Sequence, residues 1–261
     1  RSVSRGLGDV YKRQICDWYT PCLSAENQGE MPHRYVLGLY ELLERLTTAF
    51  PDVLFEGCSG GGGRFDAGML YYCPQIWCSD DTDAFERTKI QYGTSFFYPV
   101  SAIGSHVSAV PNHQTGRITP IETRAVTAMA GSFGYELDLN TLSHDEKQEV
   151  KEQIVRFKKD GPLIHNGLYY RLSDSLNDKY AMWGFVSEDK KEVLVHGVIF
   201  RTEPNRIQYL AKLRGLLPDT NYRLAENGEV YKGSALMNGG ILLPKSWGDY
   251  ASIEMHFISE A

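Results

Sequence analysis

The chain has 261 residues, room for one large domain or two of ordinary size, and 42% of them are apolar, enough for a real core. Its 27 basic and 33 acidic side chains are interspersed and leave a net charge of −6, so no basic patch argues for nucleic acid. No apolar run approaches the about 20 residues that a membrane-spanning helix needs. The cysteines are Cys16, Cys22, Cys58, Cys73 and Cys78, an odd number without a C-x-x-C pair. That argues against a disulfide framework and against a zinc site, and it predicts a reducing, cytoplasmic compartment with no metal.

Residues 1–14 do not read like protein. Asp9-Val10-Tyr11-Lys12-Arg13-Gln14 is what GATGTGTATAAGAGACAG encodes, the end sequence of a common transposase library adaptor. Ser4-Arg5-Gly6-Leu7-Gly8 fits the adjoining adaptor bases in the same frame, so the leader is set aside as a translated sequencing artefact. From Gln28 to Phe50 apolar residues recur at helical spacing, and Pro51 ends that helix. Val53-Leu54-Phe55 and Gln75-Ile76-Trp77 have the length and composition of buried strands. Each stops abruptly in small or acidic residues.

The first stop, Cys58-Ser59-Gly60-Gly61-Gly62-Gly63, could be a phosphate cradle, but no Gly-x-x-x-x-Gly-Lys-Ser/Thr pattern is present. Arg64-Phe65-Asp66 does not read as a helix start either. The glycines therefore predict a backbone that passes very close to a ligand or turns sharply at positive φ. In the second stop, Asp83 and in part Asp81 read as caps for a helix through Phe85 and Ile90, closed by Gly93. Asp80 sits ahead of the cap, at the strand end. A strand over Phe97 to Ile103 and a polar loop from Ser105 to Gln114 follow. In that loop His106 is a candidate sugar contact, although a lone loop histidine is ordinarily a surface residue.

Thr119-Pro120-Ile121-Glu122 and Ser143-His144-Asp145-Glu146 both read as capping boxes. The first helix runs to Ala130 and is followed by a strand over Phe133 to Leu139. The second helix ends near Gly161-Pro162. Beyond it the period changes to two, with strands over Leu168–Arg171, Tyr180–Val186, Val193–Phe200 and Ile207–Leu216. Asn227-Gly228 between Tyr222-Arg223-Leu224 and Val230-Tyr231-Lys232 is the strongest hairpin signal in the chain. The pattern is four βα units followed by an antiparallel sandwich of roughly a hundred residues.

Two stretches go further. Cys58-Ser59-Gly60-Gly61-Gly62 with Arg64-Phe65-Asp66, and Ser79-Asp80-Asp81-Thr82-Asp83-Ala84, resemble two signatures of the α-galactosidases of glycoside hydrolase family 36. The flanks His33-Arg34-Tyr35-Val36-Leu37-Gly38-Leu39-Tyr40 and Ile90-Gln91-Tyr92-Gly93-Thr94-Ser95 agree, and the likeness runs from Ile15 to Ala261. Gly57 departs from the family, which usually has Asn there. The resemblance implies the C-terminal half of a (β/α)8 TIM barrel over 15–162 and a β-sandwich over 163–261. It implies retaining hydrolysis of terminal α-linked galactose from oligosaccharides of the raffinose and melibiose type, by a parent protein that is a homo-oligomer and needs no cofactor.

By the same resemblance Asp80 is the general acid/base, and Cys58 and the Gly60 backbone touch galactose. Asp81 either touches the substrate or raises the pKa of Asp80 by like-charge proximity. The family's nucleophile is the Asp of a Lys-Trp-Asp motif, and the position matching it here is Val10, inside the leader. The chain is thus expected to be a fragment without its nucleophile, inactive as it stands. N-acetylgalactosamine as the sugar, galactosyl transfer in place of hydrolysis, and a non-catalytic sugar-binding module are the rival readings.

Overall fold

A computed structural model describes residues 23–205, 208–245 and 248–260. The leader 1–14, the expected position of the nucleophile, Cys16 and Cys22, and the start of the strand expected from Ile207 lie outside the described residues. The chain forms two compact units, one running to Asp80 and including Ala102–Gly104, the other made of Asp81–Ser101 and Ser105 onward.

In the first unit, helix α1 (Glu30–Ala49) buries only Leu39 and Leu43 of its apolar positions. This i, i+4 pair packs with Met69, Cys73 and Ile76 into one small core. Strand β1 (Glu56–Gly57) pairs in parallel with β2 (Gln75–Trp77), and β2 pairs in parallel with the opening of β3 (Ile103–Ser108). The expected strand over Val53–Phe55 does not form; Val53 is 52% and Leu54 85% exposed. The ladder explains why. Glu56 lies opposite Gln75, so in this register residues 53–55 would lie opposite Tyr72, Cys73 and Pro74, where the chain is leaving helix α2 (Ala67–Tyr72). Helix α2 itself contradicts the reading of Arg64-Phe65-Asp66: Asp66 is its N-cap, accepting the Met69 N–H at 2.9 Å.

In the second unit, helix α3 (Ala84–Thr94) begins where expected, with Asp83 as its cap. The strand expected over Phe97–Ile103 is displaced. The amides of Phe96, Phe97 and Tyr98 bond back to the last turn of α3, Pro99 has none to offer, and a 3-10 turn fills Val100–Ala102. The ladder starts only at Ile103, so Ser105 to Ser108, expected in a loop, are strand. Strand β4 (Ser132–Glu136) follows β3 in the sheet order.

Helix α4 (Ile121–Ala128) lacks its expected capping box: Pro120 is the N-cap and no side chain caps it. Glu122 is drawn instead to Arg156 and Gln153 of helix α5 (His144–Asn166). The box at Ser143 and Glu146 does form. Helix α5 continues past its expected end with Pro162 inside it, because Leu163 and Ile164 extend the buried stripe begun by Val150 and Gln153. Burial there outweighs the one backbone bond that proline cannot make.

A six-stranded antiparallel sheet follows, in the order β10-β9-β12-β7-β6-β5. Its strands are β5 (Leu168–Arg171), β6 (Tyr180–Val186), β7 (Glu192–Ile199), β9 (Asn221–Leu224), β10 (Val230–Lys232) and β12 (Ala251–Ser259). Strands β8 (Leu210–Ala211) and β11 (Ile241–Leu242) make a second, two-stranded sheet. Met182, Val195, Met255 and Phe257 share one core with Leu213, Leu236 and Leu243 from the β8–β11 side. On β6 and β7 both faces are buried, and helices α4 and α5 contact the sheet as well.

Candidate active site

The site is assembled in the first unit, where β1 and β2 run parallel and end at the same edge. Past β1 the chain enters Cys58 and then four consecutive residues at positive φ: Ser59 (58°), Gly60 (66°), Gly61 (73°) and Gly62 (82°). L-residues with a side chain adopt this region at a cost, so the run is affordable only because three of the four are glycine. The turn is closed by the Gly62 N–H donating to the Cys58 carbonyl at 2.8 Å. Arg64 then reaches back to the Ser59 hydroxyl at 3.3 Å and lies over the Tyr35 ring.

The turn runs directly against the end of β2. A Cβ on Gly61 would stand 3.0 Å from the Asp80 amide nitrogen and 3.2 Å from both Cγ and Oδ2 of Asp80. One on Gly62 would come within 2.6 Å of the Cys78 carbonyl oxygen. The sharp turn at positive φ expected of the glycines is present, and the group they approach closely is the Asp80 segment of the chain itself. Gly62→Ala is expected to cost more than about 1 kcal/mol, since strain and a clash with backbone act together. Gly38→Ala, in the open on α1, is expected to stabilise by about 0.5–1 kcal/mol. Urea unfolding of the two variants checks both signs.

Asp80 stands exposed at the carboxyl end of β2, and its Oδ1 accepts the indole N–H of Trp77 at 3.1 Å. Cys58 is half-buried, a free thiol at the matching end of β1. Gly60 is exposed in the turn. The first unit therefore brings together three of the four site residues expected from sequence. Asp81, the fourth, belongs to the second unit, where its Oδ1 accepts the Asp83 N–H at 3.0 Å, as an Asx turn does. His106 is on strand β3 and not in a loop; its Nδ1 lies 3.2 Å from Glu136 Oε2, over the space left by Gly134. The sequence marked Trp77 only as part of a buried strand, and its indole N–H as a donor to Asp80 was missed there. Among the described residues no group of three His, Cys, Asp or Glu side chains gathers as metal ligands.

The chain that carries this arrangement matches known proteins over most of its length. The melibiase family profile matches residues 9–167, and the glycosyl hydrolase family 36 C-terminal domain matches residues 180–257. The chain belongs to glycoside hydrolase family 36. It is 56% identical to the bifunctional α-galactosidase/sucrose kinase AgaSK of Mediterraneibacter gnavus, over 98% of this chain and 26% of that protein. With the α-galactosidase AgaA of Geobacillus stearothermophilus it shares 47% identity over 92% of this chain and 33% of that protein.

The solved galactosidase domain of AgaSK superposes with a TM-score of 0.88 at 56% identity, covering 89% of this chain and 32% of that one. A variant of AgaA in complex with raffinose gives 0.88 at 46% identity, covering 91% and 33%. The parallel strand–helix units are thus part of a (β/α)8 barrel, followed by a β-sandwich. The chain spans about a quarter to a third of the length of these relatives.

Proposed function

We propose that the whole protein is a retaining α-galactosidase that removes terminal α-linked galactose from oligosaccharides of the raffinose and melibiose type. The observation that carries this is Asp80, held at the end of β2 by Trp77 and by a glycine turn that admits no side chain against it. A glycosidic oxygen is a poor leaving group, so the bond breaks only if a carboxylic acid protonates it while a second carboxylate attacks from the other face of the sugar, about 5–5.5 Å away. Asp80 takes the acid role, then acts as base toward water. The attacking carboxylate belongs to the part of the barrel preceding Ile15. Cys58 and the Gly60 backbone lie at the same strand edge and contact the galactose. Asp81 supports the loop, with one oxygen committed to the start of α3.

Family membership and the oligosaccharide-bound relative support the same substrate class. We assign the barrel to 15–162, the sandwich to 163–261 and an adaptor-derived leader to 1–14; the family profile begins at residue 9, so resequencing the upstream DNA tests that last boundary. The odd cysteine count without a C-x-x-C pair is the ground for placing the protein's action in the cytoplasm, and no described helix is long and apolar enough to cross a membrane. A homo-oligomeric whole protein completes the proposal.

Incubating the full-length protein with melibiose and following the released sugar by NMR tests the activity. The first galactose formed is expected to be the α-anomer. The β-anomer would overturn retention, and galactose binding without turnover would make the protein a sugar-binding module.

A further inference from the structure

We infer that Trp77 is a positioning residue for the acid, fixing Oδ1 of Asp80 through its indole N–H so that the transferred proton is carried on Oδ2. The inference rests on the acid role given to Asp80 above. Three observations lead to it.

Trp77 is itself immobilised. It is 8% exposed and is the last residue of β2, where the ladder holds it opposite Gly104 of β3. A Cβ on Gly104 would lie 3.3 Å from Trp77 Cε3, so the indole fills the room which that glycine leaves. The donor is therefore aimed by the sheet and not by a mobile side chain.

The indole nitrogen has only a hydrogen to offer and no lone pair to accept with. When Asp80 is protonated, the indole N–H favours the carbonyl oxygen at the position facing Trp77, because that oxygen is a better acceptor than the hydroxyl oxygen. The proton is left on Oδ2. That oxygen stands against Gly61, where a side chain would begin 3.2 Å away and cover it. One neighbour thus selects the oxygen, and the other keeps it uncovered.

The chemistry balances on that one atom. In the first half-reaction the Oδ2 proton passes to the glycosidic oxygen as its bond to the anomeric carbon breaks, and the aglycone leaves as an alcohol while the nucleophile's carboxylate bonds to that carbon. In the second, Oδ2 takes a proton from water, the resulting hydroxide bonds to the anomeric carbon, and the nucleophile leaves. Without the indole N–H an exposed carboxyl can rotate and present either oxygen, so the productive fraction falls.

The test removes the N–H and little else. Trp77→Phe is one variant; incorporating benzothienylalanine at position 77 of the full-length protein is the second, since it replaces the N–H by sulfur and keeps the bicyclic shape. With melibiose, kcat/KM is expected to fall about ten- to a hundred-fold, the scale of losing one orienting contact. Formation of the galactosyl-enzyme from p-nitrophenyl α-galactoside, whose phenol needs little protonation, is expected to change less than about three-fold. Galactose affinity and melting temperature of the benzothienylalanine protein should be unchanged. Equal losses on the two substrates, or no loss on melibiose, overturn the inference. If the unaltered protein fails to cleave melibiose, the proposed function has failed instead, so the two failures are distinguishable.

Discussion

Asp80→Asn is expected to slow hydrolysis of raffinose and melibiose by about 10²–10⁴-fold, the usual worth of a general acid. The substitution is gentle to the fold, because the carboxamide oxygen can still accept the Trp77 N–H that Asp80 Oδ1 accepts at 3.1 Å. It removes only the ability to give and take a proton. Sugar leaving groups depend on that proton and lose most. An aryl galactoside with an acidic phenol needs little help, so its galactosyl-enzyme should still form and then accumulate, because the group that activates water is gone too. Azide needs no general base; added to the full-length variant it should restore turnover and yield α-galactosyl azide. Asp81→Asn should show neither selective loss nor azide rescue, since Asp81 is engaged with the Asp83 amide. Rescue in Asp81→Asn, or identical behaviour of the two variants, would take the acid role away from Asp80.

What the sequence made legible follows from how local each signal is. The caps at Asp83 and Ser143 and the Asn227-Gly228 hairpin are decided within a few residues, and all three stand where the sequence put them. The strands over Leu168–Arg171 and Tyr180–Val186 were equally plain. The misreadings share a cause: a distant partner decided them. Glu122 had the right spacing for a capping box, but Arg156 and Gln153, more than thirty positions on, claimed its carboxylate. Pro162 should end a helix, yet burial of Leu163 and Ile164 carries the helix through it. Val53-Leu54-Phe55 has strand composition without a strand to pair with.

At the site, Cys58, the glycines and Asp80 were readable as types at strand ends. That Gly61 lies against Asp80, and that Trp77 donates to it, became visible only once β1 and β2 were aligned, since the two stretches are separated by helix α2.

Asp83→Ala is expected to destabilise the protein by about 2–4 kcal/mol at neutral pH, the loss of a helix cap together with a charge-assisted pair. Asp83 is 2% exposed. Its carboxylate caps α3 by accepting the Phe85 N–H at 2.9 Å, meets Arg117 at 2.5 Å and accepts the Thr115 hydroxyl. Arg117 in turn lies 4.6 Å from the Phe85 ring centroid and 5.6 Å from that of Tyr250, so the guanidinium is stacked in place and cannot simply swing into water. Burial by itself would push the Asp83 carboxyl up, but the bonds from Thr115 and Arg117 and the charge of Arg117 overcome it and hold Asp83 below the usual carboxylate range.

A folded-state pKa below the unfolded one means that the unfolded chain binds the proton first as pH falls. The contribution of Asp83 is therefore fully present above the ordinary Asp pKa of about 3.9. It is lost as pH drops through the lower folded value. Urea unfolding of wild type and Asp83→Ala, repeated from pH 7 to pH 3, should give a difference that is constant near neutrality and narrows below about pH 4. Asp83→Ala combined with Arg117→Met should recover part of the loss, because it also removes a cation left with only Glu86, at 3.6 Å, for a partner. A difference below about 1 kcal/mol, the range of an exposed pair, or one that does not change with pH, would show that the pair contributes little to holding this unit together.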